Sequence, residues 1–258
     1  MRTSLLIVLA LLVVPAASAA GPWLGVADTS GTWSATAHGS STVVTHGRQS
    51  VSLAGNWGFP LVTLREDVGG LSTNGRTLVL ARGNVAHPDG ALARKSSFAV
   101  LGTSPLRVRG IVTVKGDFGF DALSPDGATL YLIQHVSQHR LLQYRVRAYD
   151  LDAKRLLPQP IADKRQLGWN MEGFPIARAT TADGRWVYTL YSNGDNYPFV
   201  HALDAVRRTA VCVGIPWNWT TAADQSAISN ATLKIVGGKL SVGGRYMLDR
   251  STFDVTKG

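Results

Sequence analysis

Short apolar runs of β-branched and aromatic residues recur along the chain, each broken by a small polar turn. The clearest unit surrounds Gly127. Residues 120–124 read as a short strand, and Pro125-Asp126-Gly127 as a turn, because Pro presets φ while Asp and Gly accept the tight geometry. Residues 129–135 form the next strand. Residues 144–150 then alternate apolar and charged side chains, the period-two mark of a half-buried strand. Residues 151–155 turn the chain, and Leu156 opens an outer edge. The same order returns around Gly184, with strands over 177–181, 185–191, 198–203 and 207–213.

Four such turns fall on Gly75, Gly127, Gly184 and Gly238, at intervals of 52, 57 and 54 residues. Self-similarity at this period, with several short strands per unit, is what a β-propeller blade requires. The unit around Gly75 is looser, with a Gly- and Arg-rich loop over 83–94, and the last unit is short. Residues 31–53 are also strand-like. They form either a degenerate first blade or strands that complete the last blade and close the ring, which removes exposed sheet edges. The expectation is an all-β chain: a small β-propeller of about four to five blades, each a four-stranded antiparallel sheet. The segments LSPDGATLYLIQH and VRAYDLDAKRLL resemble the repeats of extracytoplasmic β-propellers of the YVTN type and the wider WD-repeat-like class. The resemblance covers about residues 110–215 and implies a fold rather than an activity.

The ends set the compartment. Arg2, the unbroken apolar run over 5–14 and the small-x-small Ala17-Ser18-Ala19 read as a cleaved signal peptide over 1–19. The run is too short to span a bilayer, which takes about 20 residues. Residues 20–258 then form a single domain, secreted or extracytoplasmic, with no transmembrane segment in the mature chain. Cys212 is the single cysteine, so no intramolecular disulfide exists. Its setting, TAVCVGIP, reads as a buried core strand.

Lys and Arg exceed Asp and Glu by 26 to 17, a net charge of +9 that becomes +8 once Arg2 leaves with the leader. Such a charge favours anionic envelope polymers. The basic residues come as scattered pairs such as Arg94-Lys95 and Arg207-Arg208, which predicts solvated surface and no specific nucleic-acid reader.

Two sets of residues stand before the repeated turns and are candidates for chemistry. Glu66, Asp67, Asp117 and Glu172 each lie eight to twelve residues ahead of a turn glycine. Loops entering the inner strands of a propeller open near its channel, so these carboxylates can converge. Converged, they would hold Ca²⁺ or divide into a catalytic acid and base; separate, they are solvated loop acids. The second set pairs tryptophan with asparagine: Asn56-Trp57, Trp169-Asn170 and Trp217-Asn218-Trp219. An aromatic face beside an amide grips a sugar, although buried tryptophans also serve as packing between blades. His135 and His139 share a strand face but stand too far apart for joint zinc binding. No nucleophile elbow, phosphate-binding loop or zinc motif occurs.

The function expected from this reading is a secreted, non-catalytic propeller binding an envelope polysaccharide or a protein partner. The alternative is a propeller enzyme, a glycoside hydrolase or lactonase-like metal-dependent hydrolase, that uses the channel carboxylates.

Overall fold

The computed structural model describes residues 23–82, 92–140, 142–163, 170–192 and 197–258. The expected leader, the loop over 83–91 and Trp169 lie outside the described residues.

The twenty-one strands among the described residues fall into five antiparallel sheets, each folded from consecutive chain. The first sheet holds β1 (Trp23–Asp28), β2 (Gly31–His38), β3 (Ser41–His46) and β4 (Gln49–Ala54). The second holds β5 (Trp57–Gly58), β6 (Thr77–Arg82), β7 (Lys95–Thr103) and β8 (Leu106–Lys115). The third runs through β9 (Phe118–Leu123), β10 (Thr129–His135), β11 (Gln143–Asp150) and β12 (Arg155–Leu156), with a further short strand, β13 (Met171–Glu172), paired to the far end of β11. The fourth holds β14 (Phe174–Thr180), β15 (Trp186–Ser192), β16 (Phe199–Asp204) and β17 (Thr209–Gly214). A helix, α1 (Ala222–Ser229), leads to the fifth: β18 (Leu233–Val236), β19 (Lys239–Val242), β20 (Tyr246–Asp249) and β21 (Val255–Lys257).

Residues 31–53 therefore belong to a sheet of their own, and the fifth sheet completes itself with β21. The helix was not announced by the alternation; Thr221 caps it by accepting the Asp224 N–H.

The repeated turn is a hydrogen-bond set, and the set explains the repeated letters. In Ser72-Thr-Asn-Gly75, Ser124-Pro-Asp-Gly127 and Thr181-Ala-Asp-Gly184 the first hydroxyl donates to the Asn or Asp two residues on. That Asn or Asp accepts the N–H two residues further, from Arg76, Ala128 or Arg185. The hydroxyl also accepts the N–H of the residue opening the next strand, Thr77, Thr129 or Trp186. A short side chain that mimics backbone thus fixes each corner, and the glycine takes the positive φ that closes it, 68°, 73° and 69° in turn. Hydrogen bonding from Ser124 and Thr181 holds the Asp126 and Asp183 carboxyls below the usual range.

Apolar faces join neighbours in sequence. Trp33 and Val44 of the first sheet pack on Leu78 and Leu101 of the second. Val79 and Phe98 of the second meet Leu130 and Leu132 of the third. Tyr131 and Val146 of the third meet Val187 and Leu203 of the fourth. Tyr188 and Leu190 of the fourth meet Leu233, Leu240 and Trp217 before the fifth. These four buried clusters bind five sheets in a row, and no such cluster joins the fifth to the first among the described residues.

One excursion crosses this order. Between β5 and the turn at Gly75 the chain leaves its sheet, pinched by a Leu61–Val68 bridge. Leu64 N–H donates to Pro175 O of the fourth sheet at 2.8 Å. Arg65 Nη1 donates to Asn230 O at 3.1 Å and Ala231 O at 3.3 Å, at the entrance to the fifth sheet.

Candidate functional site: a pocket lined by four sheets

A cavity of about 620 Å³ opens among the turns that leave the first strands. Four sheets enclose it. The first sheet contributes residues 26–30, the second Val62 and residues 68–75, the third residues 120–123, and the fourth Arg178, Thr180, Gly184 and Val187. Valines and Leu123 give it apolar walls, while Ser30, Ser72, Thr73, Asn74 and Thr180 bring hydroxyls and an amide. A volume in the range of small-ligand sites, with mixed walls, is the usual character of a binding pocket.

The pocket wall holds a buried ion pair. The pairing of β9 with β10 slips between Tyr131–Ala122 and Leu132–Phe120, leaving Asp121 as the extra residue of a bulge, and bulges re-aim side chains. Asp121 is 2% exposed. Arg178 Nη2 pairs with Asp121 Oδ1, its Nη1 donates to the Asp121 carbonyl, and its Nε donates to Thr189 Oγ1. The other carboxylate oxygen, Oδ2, is buried and accepts no hydrogen bond from the described residues. Asp28, at the rim, is held at about 2 chiefly by the Ser30 hydroxyl, with help from its backbone N–H and Trp33 Nε1.

Neither Asp121 nor Arg178 was singled out in the sequence, yet a signal is there. Each stands six residues ahead of its turn glycine, Gly127 or Gly184. Opposite charges at one repeat position in adjoining sheets predict a pair between those sheets. Behind it, between the third and fourth sheets, lies His201, 1% exposed, whose burial pushes its imidazole down to about 4.

Among the expected carboxylates, Asp117 and Glu172 precede β9 and β14, at the opposite end of those strands from the pocket mouth, while Glu66 and Asp67 lie in the β5–β6 excursion between the pocket-lining Val62 and Val68. Asp67, Asp117 and Glu172 each have a local partner. Glu66 sits exposed in the excursion at a φ of 62°, and Asp67 accepts from Thr63 Oγ1 at 2.8 Å. Asp117 Oδ1 lies 3.0 Å from His135 Nδ1, and Glu172 pairs with Arg140 at 2.5 Å. Among the described residues no three of His, Cys, Asp and Glu gather where they would hold a metal ion.

The tryptophans divide. Trp57 is buried between the first two sheets with Nε1 donating to Ala54 O at 2.9 Å, while Asn56 is exposed beside it. Trp217 is buried between the fourth and fifth sheets, against Tyr246. Trp219 is half-buried, and its ring stands 4.1 Å from that of the exposed Tyr197. Asn170 Oδ1 accepts from Arg145 Nε at 2.6 Å. Cys212 is half-buried rather than sealed in the core, because its strand, β17, is the outer one of its sheet.

No family model matches the chain, and no curated protein is similar to it. Solved structures are similar at low identity. Hydrazine synthase of Kuenenia stuttgartiensis aligns at a TM-score of 0.48 and 14% identity, over 85% of this chain and 61% of the other. A protein of unknown function from Desulfotomaculum acetoxidans aligns at 0.47 and 13%, over 88% and 65%. TolB from Acinetobacter baumannii aligns at 0.43 and 13%, over 84% and 48%. The chain thus spans less than two thirds of the length of each. All three scores lie below 0.5, so the description of the fold rests on the sheets themselves.

Proposed function

We propose that the chain is an extracytoplasmic five-bladed β-propeller that binds a sugar unit of an envelope polymer in the pocket lined by four sheets. The observation that carries this reading is the pocket's composition: hydroxyls and an amide set among apolar walls, beside the Asp121–Arg178 pair. A sugar offers both hydroxyls and C–H faces, and such mixed walls match both. The +9 formal charge would assist capture of an anionic polymer at the rim. Binding is favoured over hydrolysis because both pocket carboxylates are engaged by the protein: Asp28 by Ser30 and Trp33, Asp121 by Arg178.

Thr180 lines the pocket with an exposed side chain, so Thr180→Trp fills the cavity without disturbing the core. Co-sedimentation with a cell-wall polysaccharide fraction, at low salt and at about 0.5 M salt, tests the reading. Wild type is expected to bind at both salts, with Thr180→Trp about ten-fold weaker and Trp219→Ala unchanged. Loss in Trp219→Ala with retention in Thr180→Trp would move the site to the opposite end. Binding that vanishes in salt would leave charge alone as its cause, and release of reducing sugar would favour the hydrolase.

A further inference from the structure

His201 and Cys212 are directly opposed in the β16–β17 ladder, so their side chains leave the same face of the fourth sheet. Cys212 Sγ lies 3.5 Å from His201 Nδ1. It also lies 3.6 Å from Met171 Sδ, which β13 carries over from the edge of the third sheet. An ion bound at about 2.0–2.3 Å by nitrogen and sulfur holds its donors about 3.5–4 Å apart. The thiol already stands at that spacing from an imidazole nitrogen and from a thioether.

We propose that Cys212, His201 and Met171 form a binding site for Cu(I), bridging the third and fourth sheets. The donor set chooses the metal. Thiolate and thioether are soft ligands that favour Cu(I), whereas hard ions take carboxylates and carbonyls. The site needs the methionine, since no three of His, Cys, Asp and Glu come together among the described residues. Met171 and Cys212 are both half-buried, which leaves a route for the ion, while His201 is buried and fixed. The Cys212 N–H donates to Asp163 Oδ2 at 2.9 Å, pinning the strand segment that carries the thiol. Binding releases the thiol proton to solvent, leaves copper in the +1 state, and forms Cu–S, Cu–N and Cu–thioether bonds. The ion would staple two sheets in a chain whose single cysteine excludes an internal disulfide.

The test is anaerobic titration of the full chain with Cu(I) in competition with bicinchoninate, beside Cys212→Ser and Met171→Leu. Wild type is expected to withdraw one equivalent, Cys212→Ser none, and Met171→Leu to bind about ten-fold more weakly. The melting temperature is expected to rise with Cu(I) in wild type and to stay put in Cys212→Ser. Unaltered affinity in Met171→Leu would mean the thiol acts alone, and wild type no tighter than Cys212→Ser would mean no site; either result overturns the proposal. Unliganded melting curves of the variants show whether each still folds, and Met171, on a two-residue edge strand, keeps its volume as leucine.

Discussion

Arg178→Met is expected to cost about 3–5 kcal/mol of stability, because it strands a buried carboxylate. At this chain length that corresponds to a fall of roughly 10 °C in melting temperature. Asp121 is 2% exposed, and its Oδ2 already accepts no hydrogen bond from the described residues. Removing the guanidinium leaves Oδ1 and the Asp121 carbonyl without their donor as well. The double variant Asp121→Asn with Arg178→Met should recover part of the loss, since no buried charge remains, although the buried amide still needs hydrogen-bond partners. Thermal and urea unfolding of the two variants beside wild type check this. A loss under about 1 kcal/mol in Arg178→Met alone would show that water compensates the pair.

The four repeat glycines are expected to respond unequally to alanine. An alanine at positive φ costs about 1–2 kcal/mol, and crowding adds about 1–3 kcal/mol where a neighbour stands in the way. At Gly184 an added Cβ would stand 2.7 Å from Thr73 Cβ, and at Gly127 it would stand 2.6 Å from Thr77 Cβ. Both replacements should therefore lose about 3 kcal/mol. Gly75 has the same backbone, but nothing lies within 4 Å of the added atom, so Gly75→Ala should lose only about 1 kcal/mol. Gly238 has neither positive φ nor a neighbour, and Gly238→Ala should be near neutral. Equal losses at all four positions in urea unfolding would refute this account.

This grading shows why so much of the fold was legible. The letters Ser/Thr, Asp/Asn and Gly recur because one hydrogen-bond set recurs, and Gly127 and Gly184 also seat one sheet's corner against the second sheet. The strands between the turns follow from alternation, which local chain order preserves. The pocket was less legible because its key acid is a bulge residue. Period-two reading gives Asp121 no distinct face, and only the offset it shares with Arg178 marks it. The carboxylates and tryptophans ahead of the turns shared a phase, and of these Asp117 and Glu172 stand just ahead of β9 and β14. Phase along the chain does not fix distance between sheets, however, so Asp117 and Glu172 each settle on a nearby base.

The row of four apolar clusters for five sheets has a consequence for how the molecule opens. Among the described residues each inner sheet is clamped on both faces, whereas the first and fifth have one such neighbour each. Stability then accumulates between nearest neighbours, as in a stacked array, and the outermost members fray first. Amide hydrogen exchange is expected to be slowest at Leu132 and Val187 and faster at Val44 and Leu248, buried though all four are. The Arg65 bonds to the carbonyls of Asn230 and Ala231 then act as a latch on the terminal unit. Arg65→Ala should speed exchange in the fifth sheet and leave the third untouched.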